Sequence, residues 1–305
     1  MLAQRGVKVL PELNVALSTD PLSTLRARTG PRQRLRAVIA GVVVVLGVIV
    51  FAAPLIIVVV SALQPEFSLI QRGPAALPEH FDLGNFAAAW TSGDLATYYR
   101  NSLLILVVKV PVGIVAASLA AYPLAKVRFR LRRPVLVVVL VGLGVPQVIT
   151  LYPLLETMRY LGFGGSLWAL LLPYLAFGMP FEVLIMRGAF AKVPRELVEA
   201  ARIDGATERF IWLHVCMPLV LPAVASLAIL DGVATWNEFV IALTLLGGQN
   251  NDTLPLGILN LQGQFQTNYA QLDAGVILCI LPMILLFVVA RKYLTQGVAS
   301  GALKS

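Results

Sequence analysis

The chain is 305 residues long, 58% hydrophobic and only 13% charged, with a mean hydropathy of +0.82. Soluble domains are about one-quarter charged, so this composition excludes an ordinary soluble enzyme and points to a polytopic membrane protein. The formal charge of +8 is not read as a nucleic-acid footprint, because the basic residues alternate with long apolar runs.

Residues 1–36 are expected to form a basic tail, with Pro21, Gly30 and Pro31 marking its first part as mobile or surface-lying. Arg32, Arg34 and Arg36 precede the first apolar run, 37–62. That run is about twice a usual signal core, so it is expected to stay as an uncleaved first helix. Residues 63–100, including "LPEHFDLGNFAAAW", read as a long polar-aromatic loop. A span needs about 20 apolar residues, and 101–125, 134–155 and 166–190 qualify as the second, third and fourth. Pro173 and Pro180 predict kinks in the fourth.

Between the fourth span and a fifth at 217–246 lies a polar loop, about 191–216, containing "EAARIDGATERF". Pro194 suits a first helical position, and Glu196, Leu197, Glu199, Ala200, Ala201 and Ile203 favour a helix behind it. The spacing puts Leu197, Ala200, Ala201 and Asp204 on one face, which the alanines make flat enough for another protein to approach. Gly205 is predicted to stop this helix with a positive φ, and a second helix then runs from about Thr207 into the fifth span, which carries Pro222. Residues 247–270 are rich in Gly, Asn and Gln, a sixth span covers 271–290, and 291–305 form a second basic tail.

The basic residues fall almost wholly on one side of these spans. The tail, the segments 126–133 and 187–209, and the C-terminus carry them, whereas the other side holds only Arg72, Arg100 and Arg159. The positive-inside rule therefore predicts that both termini and the 191–216 loop are cytoplasmic.

Chemistry-bearing residues inside the apolar spans are few. Ionisable groups there are costly and mark cavities or pairs, which singles out Lys109, Glu182, Asp231 and Glu238. Asp231, Trp236, Asn237 and Glu238 are the candidates for a translocation path, since polar groups beside aromatic faces suit a hydrogen-bonding solute; hydrogen bonding to neighbouring helices is the competing reading. Cys216 and Cys279 lack any CxxC spacing and read as packing residues, while His80 and His214 stand alone, so no metal site is expected. HExxH, GxSxG and GxxxxGK[ST] are absent, and Lys304 of the closing "GALKS" lacks the preceding Gly. No paired inverted repeat supports the remaining alternative, a secondary transporter.

"EAARIDGA" followed by "FIWLHVCMPLVLP" resembles the signature loop of ABC-importer permeases, carried here by Glu199, Ala200, Ala201, Asp204, Gly205, Ala206, Pro218 and Pro222. "NSLLIL" at 101–106, "AAYPLAKVRF" at 120–129, "WNEFVIAL" at 236–243 and the closing "RKYLTQGVASGALKS" are similar to the carbohydrate, maltose-type branch. Within that branch they resemble the shorter subunit of a two-permease heterodimer. Residues 1–30 lie outside the likeness, and Met217 stands where Leu is usual.

The resemblance implies an all-α membrane protein of six transmembrane helices, with the type I ABC-importer fold and a cytoplasmic coupling helix between helices 4 and 5. It implies a non-catalytic permease of the bacterial inner membrane that passes mono-, di- or oligosaccharides; a non-sugar solute such as a polyamine, phosphate or peptide is the alternative. The expected partners are a second permease, a dimeric cytosolic ABC ATPase, an extracytoplasmic solute-binding protein and membrane lipid. This chain would need no cofactor, because ATP and Mg belong to the ATPase. Glu199 would pair with a basic residue on the ATPase, Ala200 and Ala201 would enter its groove, and Gly205 would set the elbow's angle. The tail around Gly297 and Gly301 would be a second ATPase contact or a frayed terminus. In maltose-type systems the partner permease supplies most sugar contacts.

Overall fold

The structure, a computed structural model, describes residues 31–91, 93–247, 251–262 and 267–302, and side chains only as far as Val289 at the C-terminal end. The expected tail of residues 1–30 lies outside the described residues. All regular structure among the described residues is helical.

Two compact units divide the chain after Ile56. The described part of the first is most of helix α1, Pro31–Ala62. Val42, Val45, Ile49 and Phe51 are all exposed, Phe51 by 81%, so the helix shows apolar side chains around its circumference. That is the surface of a helix whose neighbour is hydrocarbon.

The second unit starts with the last turns of α1. Its C-terminal carbonyls are met by the buried Asn85, whose Nδ2 donates to Ala62 O at 3.0 Å and Gln64 O at 2.8 Å. The expected loop after α1 contains two short helices, α2 (Glu66–Arg72) and α3 (Gly84–Thr91). Helix α4 (Leu95–Lys126) begins six residues before the expected 101, because Leu95 and Tyr98 already find buried positions.

The third expected span, 134–155, is not a straight helix. Helix α5 (Arg132–Leu143) is followed by a 3-10 turn and α6 (Leu151–Tyr160), bent by 92° from it. The break falls at Gly144, Val145 and Pro146, where proline removes an N–H and pushes its predecessor out of helical geometry. Among the described residues, five helices are long and apolar enough to cross a membrane, or six when this bent pair counts as one span.

Helix α7 (Leu171–Lys192) packs along α4 and leads into α8 (Arg195–Ile203). A short α9 (Glu208–Phe210) runs through a π-helical stretch, Ile211–Cys216, into α10 (Met217–Trp236). The wider turn ends where Pro218, which has no N–H to give, enters the helix. The fifth expected span, 217–246, stops at Trp236 and is followed by a separate α11 (Val240–Leu246). Glu238 causes this: its carboxylate accepts from the N–H groups of Ile241 (2.8 Å) and Ala242 (3.2 Å), capping a new helix.

Helices α12 (Leu254–Leu259) and α13 (Tyr269–Ala302) complete the unit. The expected tail from 291 continues α13, so Gly297 and Gly301 sit within helical backbone. One apolar core lies between α4, α7 and α10, around Ile114, Val183, Met186, Phe190 and Leu227.

Candidate functional site

Two places in the second unit concentrate polar chemistry. The first is the elbow formed by α8, Gly205 and α9. Pro194, expected as the first helical residue, instead caps the helix with φ −55° and ψ 136°, and α8 starts one position later at Arg195. On α8, Val198 is buried with Phe190, Val193 and Ile211, and Ala201 packs against the same cluster. Leu197, Glu199, Ala200, Ile203 and Asp204 are exposed, Ile203 by 86%. The expected flat face is therefore divided: Ala200 faces out, while Ala201 and Ala206 lean on the core.

Gly205 takes φ +83°, as its place after the helix demands. Its N–H bonds to Arg202 O at 3.0 Å and the N–H of Ala206 to Ala201 O at 3.0 Å, a Schellman closure of α8. Thr207 Oγ1 then accepts from Phe210 N at 3.3 Å and starts α9. The turn is tied across by residues that sequence reasoning left without a role. Arg202 Nε donates to Glu208 Oε1 at 2.7 Å, and the Tyr122 hydroxyl of α4 donates to Glu208 Oε2 at 2.6 Å. Hydrogen bonding to Glu208 pushes the Arg202 guanidinium further above its ordinary value. Lys126, at the end of α4, donates Nζ to Val193 O just before the elbow. Arg202 and Glu208 were visible as opposite charges across a glycine turn; nothing in the sequence pointed to Tyr122.

The second place is a buried charge cluster. Lys109 of α4, Glu182 of α7 and Asp231 of α10 are 2%, 1% and 6% exposed. Lys109 Nζ donates to Glu182 Oε1 at 2.9 Å and to Asp231 Oδ1. Two glycines make the space. A Cβ on Gly113 would lie 2.7 Å from Glu182 Oε2, and one on Gly178 would lie 2.5 Å from Glu182 Oε1. The remaining oxygens, Glu182 Oε2 and Asp231 Oδ2, find no hydrogen-bond partner among the described residues.

Lys109 and Asp231 also line a cavity of about 300 Å³, with Gln147, Tyr174, Phe177, Phe181 and Glu238 among its walls. The sequence placed Asp231 and Glu238 on one helical face; α10 ends between them, and the cavity reunites them. Glu238 is fully engaged, accepting from Tyr174 Oη at 2.6 Å and Gln147 Nε2 at 3.3 Å besides capping α11. The other two path candidates are not in that wall. Trp236 is buried, with Nε1 donating to Cys279 O at 3.1 Å, and Asn237 is exposed, bonded to Val233 O at 2.8 Å. Glu182 and Lys109, which the sequence flagged only as buried ions, are the ones that join Asp231. Among the described residues no group of His, Cys, Asp or Glu has metal-binding geometry.

Residues 109–299 match the family described as "Binding-protein-dependent transport system inner membrane component". The chain is 32% identical to the probable ABC transporter permease protein YurM of Bacillus subtilis (strain 168), over 84% of this chain and 85% of that protein. It is also 32% identical to the arabinooligosaccharides transport system permease protein AraQ of Halalkalibacterium halodurans, over 82% and 90%. To the diacetylchitobiose uptake system permease protein NgcG of Streptomyces coelicolor it is 27% identical, over 92% of each. Among solved structures, a bacterial ABC transporter involved in import of the acidic polysaccharide alginate superposes with a TM-score of 0.76 at 22% identity. That match spans 87% of this chain and 98% of the other.

Proposed function

Because the chain belongs to the family of binding-protein-dependent transport system inner membrane components, we propose that it is the sugar-passing subunit of an importer driven through the α8 elbow. The observation that carries this reading is the elbow's construction: a short helix with an exposed, partly apolar face, closed by Gly205 and tied to the ends of α4 and α7. The sugar class is supported by relatives whose names specify arabinooligosaccharides, diacetylchitobiose and alpha-glucosides.

In this reading the elbow is cytoplasmic, as the basic residues beside it suggest. A cytosolic ATPase dimer, which holds ATP and Mg, receives the exposed face of α8, with Glu199 against a basic side chain and Ala200 at the floor of its groove. Ala201 supports the contact from behind. Closure of the ATPase displaces the elbow, and the attached spans turn as bodies between outward- and inward-open states. Lys109 matters here because it holds α7 and α10, the two spans that flank the elbow, to α4. A lever whose two arms spread would absorb the stroke; a buried ionic pin keeps them together. The cavity beside the pin, with carboxylate, amide and phenol groups against Phe177 and Phe181, is chemically suited to a polyhydroxylated solute. A second permease would complete the path, and an extracytoplasmic binding protein would deliver the sugar.

Uptake of labelled sugar by the assembled importer tests this. Glu199→Lys and Gly205→Leu should each abolish accumulation while the chain reaches the membrane in normal amount. Unchanged uptake in both variants would end the lever reading. A ligand panel against the cognate binding protein, read by thermal shift, checks the solute class; a polyamine hit with no sugar hit would overturn it.

A further inference from the structure

Beside the elbow, two cavities of opposite chemistry adjoin. One, of about 390 Å³, is walled by Lys126, Arg128, Arg132, Arg195 and Arg202, five cations against the carboxylates of Glu199 and Glu208. The other, of about 200 Å³, is apolar, with Leu119, Tyr122, Pro123 and Trp212 among its walls. Val127 and Glu208 line both, so the two are continuous neighbours.

Their order along the helix is informative. The basic cavity is built from the last residues of α4, the following turn, the first residues of α5 and α9, and α8. The apolar groove runs back along α4 to Leu119, seven residues or about 10 Å from Lys126 towards the middle of the span. Charge at the boundary with an apolar channel leading into the bilayer is the outline of an amphiphile.

We propose that this pair of cavities is a binding site for one anionic phospholipid, its phosphate among the arginines and the start of an acyl chain in the Leu119–Trp212 groove. Part of the cation set is already held in place. Arg132 Nε donates to Leu124 O at 2.9 Å, Lys126 to Val193 O, and Arg202 to Glu208, which fixes their positions while leaving other N–H groups for a ligand. Arg128 and Arg195 make no side-chain hydrogen bond or ion pair among the described residues, and they supply uncommitted charge. A zwitterionic lipid would bring its own ammonium into this cluster and be disfavoured. Because the basic wall includes α8, the bound lipid would stiffen the elbow against the end of α4. The lipid site is independent of the chain's solute, but it shares Glu199 and α8 with the face proposed to meet the ATPase, so lipid retention and ATPase binding are read separately.

Native mass spectrometry of the purified, delipidated full-length chain tests it. Phosphatidylglycerol and phosphatidylcholine with identical acyl chains are offered in equal amounts, and retained lipid is counted. One phosphatidylglycerol should be retained in clear preference, and Arg128→Gln with Arg132→Gln should weaken retention about fivefold for each cation removed. Leu119→Trp, which fills the groove and leaves the cations alone, should also weaken lipid retention. Millimolar glycerol phosphate should still give that variant a small thermal stabilisation, and should give the arginine variants none. Equal retention of both lipids, or a preference that survives both the arginine and the groove variants, would overturn the proposal. So would inorganic phosphate stabilising the chain as strongly as phosphatidylglycerol, since the site would then serve a free anion. Loss of ATPase binding in the arginine variants with lipid retention unchanged would assign the cations to the ATPase instead.

Discussion

The elbow and the buried charge cluster are both polar, yet they are assembled in opposite ways. The elbow draws its turn, its stop and its restart from twelve consecutive residues, and each of its bonds but those to α4 and Val193 closes within that stretch. The cluster brings together residues 73 and 122 positions apart, from three helices. Its burial makes each partner indispensable to the others, whereas the exposed Arg202–Glu208 pair can exchange its partner for water. A region specified locally should therefore tolerate loss of a contact, and one specified by assembly should not.

The contrast can be broken most sharply at Lys109. Lys109→Met strands two buried carboxylates, so the thermal midpoint of the purified protein should drop steeply, by the equivalent of about 3–5 kcal/mol. The triple change Lys109→Met, Glu182→Gln, Asp231→Asn should recover much of that, because it removes the unpaired charges together. Next in size is Gly178→Ala. Its added methyl would meet Glu182 Oε1 at 2.5 Å, and a loss of about 1–3 kcal/mol is expected from overpacking, with the same midpoint as readout. Gly205→Leu must hold a left-handed backbone and should cost about 1–2 kcal/mol, with protease sensitivity rising only near residues 200–210. The smallest effect belongs to the pair on the elbow's rim. A double-mutant cycle on Arg202→Gln and Glu208→Gln should give a coupling below about 1 kcal/mol, shrinking in high salt. A cycle energy near that of the Lys109 cluster would show that the elbow is not locally specified after all.

How much could be read beforehand follows the same line. The elbow was legible because Gly205 follows a nine-residue helix and only glycine takes that φ without strain. Long apolar helices were legible from hydropathy, but hydropathy is indifferent to direction. It passed smoothly over Pro146, where α5 and α6 part by 92°, and over Asn237, where α10 gives way to α11. Trp236 and Asn237 looked like a sugar wall because of their chemistry; packing turned the indole to Cys279 O and the amide back onto Val233 O. Lys109 and Glu182 looked merely expensive until three helices brought them to Asp231.

From the amino acids alone came membrane residence, the number of apolar runs and the bent polar insert between the fourth and fifth. Each depends on transfer energies or backbone preferences that act over a few neighbouring residues. The chain's folding in space decided which oxygens Lys109 meets, which alanine of the elbow faces outward and how a basic cavity adjoins an apolar one. Those outcomes depend on helix ends and crossings, and residues a hundred positions apart leave no local trace of which of them will touch.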